Sequence, residues 1–241
     1  LEDYDLSCFI RLGSDMVNNY YEYEIPLKLT EHGTYQNDKT SDREAVWSPE
    51  NMFDFSFEAL TNAKLQRNKA KRNGTSNVSN SIPYSIYDEE NNRNKITVVG
   101  NPTLEEVENI MIGIRNRDDE VKTGEIWVNE LRMSEFDESG GWAAMANMAL
   151  GLSDIAQVNV AGRIETAGFG GIESNMLNRR MEDQYQISVS AALEAGRLFP
   201  EKAKLQIPLY YSYTNETLSP KYNPLDTDVE LKEALDVLET K

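Results

Sequence analysis

Residues 142–214 contain four segments in which apolar and polar side chains alternate with a period of two. In residues 157–166 the valines and the isoleucine fall at even positions, whereas Gln157, Asn159, Arg163 and Glu165 fall at odd ones. Residues 185–196 and 204–214 repeat this alternation, residues 142–152 show it less regularly, and no apolar parity carries a charge. Because successive side chains of a β-strand point to opposite faces, each segment is predicted to be a strand with one apolar and one polar face.

Each segment approaches the ~10 residues of a strand that crosses an outer membrane as part of a β-barrel. We therefore predict that the polar parity lines an aqueous lumen and that the apolar parity faces lipid. The predicted lumen-facing residues are Gln157, Asn159, Arg163, Glu165, Gln186, Ser188, Ser190, Glu194 and Gln206. The predicted lipid-facing residues are Val158, Val160, Ile164, Ile187, Val189, Leu193, Leu205, Ile207 and Leu209.

The alternative explanation for the alternation is a soluble sandwich that contains two hairpins. If the sequence predicted only one hairpin, the soluble sandwich would be the preferred explanation. Four successive segments favour the membrane barrel instead. Aromatic residues at the segment ends, namely Trp142, Tyr185, Tyr211 and Tyr213, favour it too, since aromatic girdles mark membrane interfaces. Pro208 does not discriminate, because a proline removes a ladder donor in either kind of sheet.

Connection lengths indicate an orientation. The links after residues 152 and 199 are short, whereas residues 169–183 and the segment from residue 218 are long. Bacterial barrels have short periplasmic turns and long outer loops, so the residues before the first strand are predicted to be extracellular. Four strands cannot close a barrel, because the smallest has about eight, and the missing strands are expected from a larger chain or from further copies.

Residues 1–138 alternate short strand candidates with polar loops, which is typical of an antiparallel β-sandwich. Strands are predicted over residues 4–12, 21–29, 95–99, 109–115 and 125–133, a helix over 56–72 and a loop over 73–80. The predicted fold class is all-β or mainly β, with this sandwich followed by the four barrel strands. The predicted domains are residues 1–138, residues 139–218, and an outer loop with a short amphipathic helix over residues 219–241.

Composition narrows the class of protein. Only 39% of the 241 residues are apolar, and no apolar run approaches the ~20 residues of a membrane helix, so a helical membrane protein is excluded. The net charge of −17 argues against nucleic-acid binding, which depends on clustered Lys and Arg. The single cysteine, Cys8, leaves the redox compartment open. Strand-like residues at the start and helix-like residues at the end indicate a piece of something longer.

No residue pattern predicts an enzyme or a cofactor. His32 and Cys8 are each single and lie in no nucleophile–base pattern, and chance carboxylate pairs are expected in a chain this acidic. Oxygen ligands that suit Ca²⁺ occur at Asp118-Asp119-Glu120 and at residues 223–228, which include Asp226 and Asp228. Neither matches an EF-hand loop, so solvated turns are the preferred interpretation.

Two other features each admit two interpretations. The basic residues between Lys64 and Arg72 could dock an acidic partner or a lipid headgroup, although an exposed helix face is preferred. Trp47 and Trp127 could stack on sugars, but Trp127 also suits the core of a strand.

Several short motifs follow one another along the chain. They are Gly100-Asn101-Pro102-Thr103-Leu104, Ile110-Met111-Ile112-Gly113-Ile114-Arg115-Asn116, Gly124-Glu125-Ile126-Trp127-Val128-Asn129-Glu130-Leu131-Arg132, Gly140-Gly141-Trp142-Ala143, Thr166-Ala167-Gly168-Phe169-Gly170, Phe199-Pro200-Glu201-Lys202-Ala203 and Tyr222-Asn223-Pro224-Leu225-Asp226. Each motif is weak by itself. Their order and number make the chain resemble the SprA (Sov) family, the very large outer-membrane barrel that forms the translocon of the type 9 secretion system in Bacteroidetes.

The resemblance implies a protein-conducting pore in the bacterial outer membrane, with an extracellular cap, that exports folded cargo to the cell surface and is linked to gliding motility. The partners it implies are the rest of the translocon barrel, cargo proteins, a plug protein, a cargo-shuttle barrel protein and outer-membrane lipid, with no nucleic acid. It implies no catalytic residues, cofactor or metal. The alternative function is a surface carbohydrate-binding or adhesive β-sandwich protein without a pore.

Overall fold

The computed structural model describes residues 1–134, 139–173 and 179–239. The chain is mainly β, with 39% strand, 17% helix and antiparallel sheets, which confirms the predicted fold class. It divides into two units. Unit 1 comprises Leu1–Glu130, Leu225–Val229 and Glu233–Lys241, and unit 2 comprises Leu131–Pro224 and Glu230–Lys232. The boundary predicted at residue 138 falls outside the described residues.

Unit 1 is built on a five-stranded antiparallel sheet. Its strands are β1 (Leu6–Asp15), β2 (Asn19–Pro26), β3 (Tyr84–Tyr87), β4 (Lys95–Val99) and β5 (Asn109–Asn116), in the spatial order β3-β4-β2-β1-β5. The Asp15 carboxylate closes the turn between β1 and β2 by accepting hydrogen bonds from the backbone N–H groups of Val17, Asn18 and Asn19.

The core of unit 1 lies on one face of this sheet. Its buried side chains are Cys8, Ile10, Leu12, Tyr21, Tyr23, Ile25, Leu60, Ala63, Ile96 and Val98. Those of β1 and β2 follow the period-two pattern predicted for these strands. Helix α1 (Thr40–Val46) has no buried side chain. The layer that covers the core is helix α2 (Phe57–Arg72), through its buried Leu60 and Ala63, together with Phe53 and Phe55 of the segment before it. Helix α2 begins at Ser56, whose hydroxyl accepts a hydrogen bond from the Ala59 N–H at 3.2 Å.

The layer opposite the sheet is therefore helical, whereas the sandwich prediction expected a second sheet. The other face of the sheet carries ion-paired side chains. Arg11 pairs with Glu22, Lys95 pairs with Glu24, and Arg115 reaches both carboxylates. The Glu22 and Glu24 carboxylates are buried already. A second sheet would also remove the part-exposed cations of Arg11, Lys95 and Arg115 from water, at a cost that ion pairing does not reliably offset.

The strand predicted over residues 125–133 is absent. These residues have no regular secondary structure, and Trp127 is 65% exposed, so this side chain is not part of a core. The predicted helix over residues 56–72 and the loop that follows it are present. The local pattern of residues 125–133 suits a strand, but a strand also needs a partner strand to satisfy its backbone groups.

Unit 2 contains a four-stranded antiparallel sheet whose strands follow the order of the chain. They are β6 (Ala143–Leu152), β7 (Ala156–Glu165), β8 (Glu182–Glu194) and β9 (Pro208–Pro220). All four predicted strands are present, although β9 begins later and ends later than the predicted segment. A short turn links β6 to β7, and 3-10 turns at Ala195–Leu198 and Glu201–Ala203 lie between β8 and β9.

The last elements are the two-residue β10 (Tyr222–Asn223), β11 (Asp226–Glu230) and helix α3 (Leu231–Glu239). No helix in the described part of the chain is long and apolar enough to cross a membrane.

Candidate functional site: a sheet with two unlike faces

The register of the unit 2 sheet joins residues of like character across all four strands. Met148 of β6 lies opposite Val160, Val160 lies opposite Val189 of β8, and Val189 lies opposite Tyr213 of β9. Cross-strand partners project from the same face of a sheet. The apolar parities of the strands therefore form one continuous face, on which Met148 is 52% and Tyr213 50% exposed.

The opposite face is polar. Asn159 lies opposite Ser190, and Ser190 lies opposite Ser212. In the neighbouring row Ser188 lies opposite Thr214. Hydroxyl and amide groups exchange hydrogen bonds with water and carry no charge. The middle of this face is therefore wettable but uncharged.

The register collects most of the predicted site residues into two sets. The apolar face contains Val158, Val160, Ile164, Ile187, Val189, Leu193 and Leu209, all of which were predicted to face lipid. The polar face contains Gln157, Asn159, Arg163, Glu165, Gln186, Ser188, Ser190 and Glu194, all of which were predicted to face a lumen. What each face contacts stays a prediction.

Leu205, Gln206 and Ile207 lie outside β9, so strand alternation assigns none of them to a face. The cause is the connection from β8. The Ala195 N–H donates to the Ile207 carbonyl at 2.8 Å, and the Ile207 N–H donates to the Glu194 carboxylate at 2.6 Å. The strand therefore begins at Pro208. Proline, which has no N–H to donate to the sheet, is tolerated as the first residue of a strand.

Aromatic side chains stand near both ends of the apolar face. At the end nearer the long β7–β8 connection, Tyr185 lies opposite Ile164, and the Trp142 N–H donates to the Thr166 hydroxyl at 2.8 Å. At the other end Tyr211 lies opposite Ala191. Tyr185 and Ala191 are six residues apart on β8, which corresponds to about 20 Å of strand.

A charged network occupies the polar face at the end near Tyr185. The Glu165 carboxylate, 5% exposed, accepts from Arg163 Nε at 2.9 Å and lies 3.3 Å from Arg180 Nε. The Gln184 amide joins Arg180 to the Glu216 carboxylate. The sequence prediction included Arg163 and Glu165 but missed Arg180, Gln184 and Glu216. Glu216 was missed because β9 extends beyond residue 214, and Arg180 because it precedes β8.

A glycine corner closes the same end of the sheet. A Cβ atom added to Gly141 would lie 2.1 Å from the Phe169 nitrogen, whereas one added to Gly140 would meet no atom within 4 Å. Gly168 has a φ of +84°, a conformation that side-chain-bearing residues rarely adopt. The motifs Gly140-Gly141-Trp142 and Thr166-Ala167-Gly168-Phe169 thus meet at one backbone-to-backbone contact.

A second polar site lies in unit 1, between α2 and β11. The Lys64 ammonium pairs with Asp226 and lies 3.3 Å from an Asp228 oxygen. The Asp228 carboxylate also accepts hydrogen bonds from the Tyr21 hydroxyl and the Leu104 N–H, both at 2.7 Å. The Lys64 and Asp228 side chains are 1% and 2% exposed, so the pair is removed from water.

Burial sets the chemistry of the groups around this pair. The pKa of Tyr21 lies far above its usual range. Burial is the largest cause, and the charge and hydrogen bond of Asp228 add to it, so the Tyr21 hydroxyl stays protonated and remains a hydrogen-bond donor. Burial lowers the pKa of the Arg67 guanidinium, which donates to the Gly100 carbonyl. We call the contacts of Lys64 with Asp226 and Asp228 the β11 clasp.

The clasp corrects two preferred interpretations of the sequence. Lys64 and Arg67 are buried, so the basic run is not an exposed helix face throughout. The basic residues of α2 that are exposed are Lys69, Lys71 and Arg72. Asp226 and Asp228 do not lie in a solvated turn, because Lys64 binds them. A signal was present in the sequence: Leu60, Ala63, Lys64 and Arg67 have the spacing of one helix face.

Nearly the whole chain, including both of these sites, matches a known protein family. The SprA N-terminal family, described as motility related/secretion protein, matches residues 1–235. The chain belongs to the SprA N-terminal family. Its function is therefore related to motility and secretion. None of the curated proteins compared with the chain matches it.

Other acidic residues of this SprA-family chain have partners of their own. The Lys122 ammonium lies 2.7 Å from Asp118 and 3.1 Å from Asp5, and these contacts raise the Lys122 pKa. No group of three or more His, Cys, Asp or Glu side chains within residues 1–134, 139–173 and 179–239 is arranged to hold a metal ion.

Proposed function

We propose that the chain forms an arc of the wall of an outer-membrane protein-conducting channel, the type 9 secretion translocon, which exports folded cargo to the cell surface. The observation that carries the proposal is the two-faced sheet of unit 2. A sheet in a soluble domain buries its apolar face against a core. This apolar face is broadly exposed and continuous across four strands.

The dimensions of the apolar face support a membrane setting. Transmembrane barrels carry an apolar band ~25 Å tall between two aromatic girdles. The rows of Tyr185 and Tyr211 lie about 20 Å apart along the strand, with apolar side chains between them. Trp142 adds to the aromatic group at the end of Tyr185, whereas Tyr213 lies opposite Val189, between the two rows.

The polar face supports an aqueous lumen. Its central rows carry Ser, Thr and Asn side chains, which hold water and bind passing proteins weakly. Its charged residues lie near the two ends of the strands. Glu165 and Glu216 are bonded within the network that contains Arg180, and at the other end the Glu194 carboxylate accepts a hydrogen bond from the Ile207 N–H. Such a wall offers no strong fixed charge to retain cargo in transit. The role proposed for these residues is wetting, with no catalytic step and no cofactor.

The edges of the sheet support membership in a larger barrel. β6 pairs only with β7, and β9 pairs only with β8, within the four-stranded sheet. Each unpaired backbone group in lipid costs several kcal/mol, so both edges need neighbouring strands. We propose the rest of the translocon barrel as the source of those strands. Outer-membrane lipid, cargo, a plug protein and a cargo-shuttle barrel protein are the other proposed partners, and unit 1 is proposed to be extracellular.

The exposed tryptophans favour a second candidate function. Trp47 is 46% and Trp127 65% exposed, as sugar-stacking residues of a surface carbohydrate-binding or adhesive protein would be. Under that function the sheet of unit 2 would belong to a soluble protein without a pore.

Adjacent residues of β8 on opposite faces give the test. We would introduce Val189→Arg and Ser190→Arg separately into the whole protein in its bacterium. We expect Val189→Arg to remove the protein from the outer membrane and to stop cargo export and surface motility, since Arg on a lipid face costs ~2–4 kcal/mol near the midplane. Ser190→Arg, the matched control, should leave assembly and export close to normal.

Two results would contradict the proposal. One is normal assembly and export with both substitutions. The other is a greater loss with Ser190→Arg than with Val189→Arg. The adhesive function predicts a different pattern, in which Trp47→Ala and Trp127→Ala abolish glycan binding while cargo export continues.

A further inference from the structure

The β5 strand forms an edge of the unit 1 sheet without the features that protect edge strands. Its outer side pairs with no strand among the described residues. Edge strands are usually short or carry charges or proline, which prevents pairing with further strands. The opposite edge strand, β3, has four residues and follows Pro83. By contrast β5 has eight residues, and residues 110–114 within it carry no charge.

The core face beside this edge is incompletely covered. Ile110, Ile112 and Ile114 lie opposite three residues of β1 that are buried. The three isoleucines themselves are 55%, 38% and 41% exposed. One more strand beside β5 would extend the sheet and cover this row.

The chain contains an unpaired segment that has the composition of a strand. Residues 125–129 read Glu-Ile-Trp-Val-Asn, and β-branched and aromatic residues are those that strands favour. Ile126, Trp127 and Val128 are 38%, 65% and 60% exposed.

The connection before this segment is held at the appropriate end of β5. The Arg117 N–H donates to the Asp5 carbonyl at 2.9 Å, directly after β5 ends. The Lys122 side chain pairs with Asp5 and Asp118. Residues 117–124 therefore turn beside the last residues of β5, from where the next segment can run back along it.

We propose that residues 125–129 add to the free edge of β5 as a sixth, antiparallel strand. The match of side chains defines the register. Ile126 would lie opposite Ile114 and Val128 opposite Ile112, so both would join the core face. A shift of one residue would turn them toward the ion-paired face of the sheet.

The same register matches the other face. Trp127 would lie opposite Gly113, which has no side chain and is covered by the Phe9 ring of β1. Glu125 would lie opposite Arg115. In the undocked segment the Glu125 carboxylate accepts a hydrogen bond from Trp127 Nε1 at 2.6 Å. Docking exchanges this local bond for the cross-strand pair of Glu125 with Arg115.

Disulfide trapping in the full chain tests the register. Met111 and Asn129 would lie opposite each other on one face. We would combine Met111→Cys with Asn129→Cys in a Cys8→Ser background and apply mild oxidation. An intramolecular disulfide should form about tenfold or more faster than in the control with Met111→Cys and Val128→Cys, since a disulfide requires Cβ atoms ~3.5–4.5 Å apart.

Amide hydrogen exchange of the unsubstituted chain gives a second measurement that needs no substitution. The amides of residues 125–129 should exchange more slowly than those of residues 131–134. Equal disulfide formation in the two pairs, a bond between two chains, or equally fast exchange in both segments would each overturn the proposal.

Discussion

Lys64 of α2 forms a buried ion pair with Asp228 of β11, although 164 residues separate them in the chain. The Lys64 ammonium also donates to the Pro102 carbonyl at 2.7 Å. The same buried site thus joins Lys64 of α2, the Pro102 carbonyl and two carboxylates of β11. The β11 clasp secures Leu225–Val229 within unit 1.

Replacing Lys64 should destabilise unit 1. Lys64→Met keeps most of the side-chain volume but leaves Asp226 and Asp228 without their cation. Breaking a buried pair on one side costs ~3–5 kcal/mol. The measurement is the free energy of unfolding in urea. Lys71→Met, at an exposed position of the same helix, is the control and should change that free energy by less than about 0.5 kcal/mol. Equal effects would show that the pair does not stabilise unit 1.

The glycine corner of unit 2 provides a second prediction. Gly141→Ala forces a Cβ against the backbone of Phe169, which cannot move aside as a flexible side chain can. We expect a loss of about 1–3 kcal/mol, measured as a lower unfolding temperature in detergent. Gly140→Ala, where the added atom meets nothing within 4 Å, should be tolerated. Identical unfolding temperatures for the two variants would contradict the close contact.

Glu50 should make unit 1 sensitive to acid. Hydrogen bonds from Lys28, Arg93 and Tyr4 hold the Glu50 pKa at about 2, below its ordinary value of 4.5. The unfolded chain therefore binds the proton first. The contribution of Glu50 is fully present above pH 4.5 and is lost as the pH falls toward 2.

The measurement for Glu50 is the urea midpoint at several pH values between 6 and 2. Glu50→Gln should lower the midpoint near pH 6 and reduce its fall on acidification. Glu44→Gln, at an exposed position of α1, should leave the pH profile unchanged. A profile that is the same with and without Glu50 would exclude this role.

The Cys8 thiol should be unreactive in the folded chain. Burial raises its pKa to about 11, so little thiolate forms at pH 8 and reagents have little access. Iodoacetamide should modify Cys8 only after unfolding in urea, as followed by mass spectrometry. A chain with Cys8→Ser and Ser76→Cys, in which the thiol is exposed, should react without urea. Rapid modification of Cys8 in the folded chain would contradict its place in the core.

The alternation of Val158, Val160 and Ile164 with Asn159 and Arg163 was sufficient to predict β7 and its two faces. Strand alternation is a property of neighbouring residues, so local sequence contains it. The same reasoning predicted the core face of β1 and β2. It predicted a strand over residues 125–133 as well, where the structure has none. Strand formation there depends on a partner edge, which local alternation does not supply.

The polar clusters could be predicted only in part. Arg163 and Glu165 were identified because they share a strand parity. Arg180 and Gln184 join them through a connection whose path the sequence pattern does not specify. The glycine motifs at Gly141 and Gly168 were visible, but their mutual contact depends on the β6–β7 register.

By itself the sequence determined that residues 142–214 form strands with one apolar and one polar face, because a period of two is read from adjacent positions. Only the tertiary structure decided that Lys64 and Arg67 are buried, and that Asp226 and Asp228 bind a lysine. Burial of a charge depends on a partner that offsets its loss of water. For Lys64 that partner comes from the opposite end of the chain.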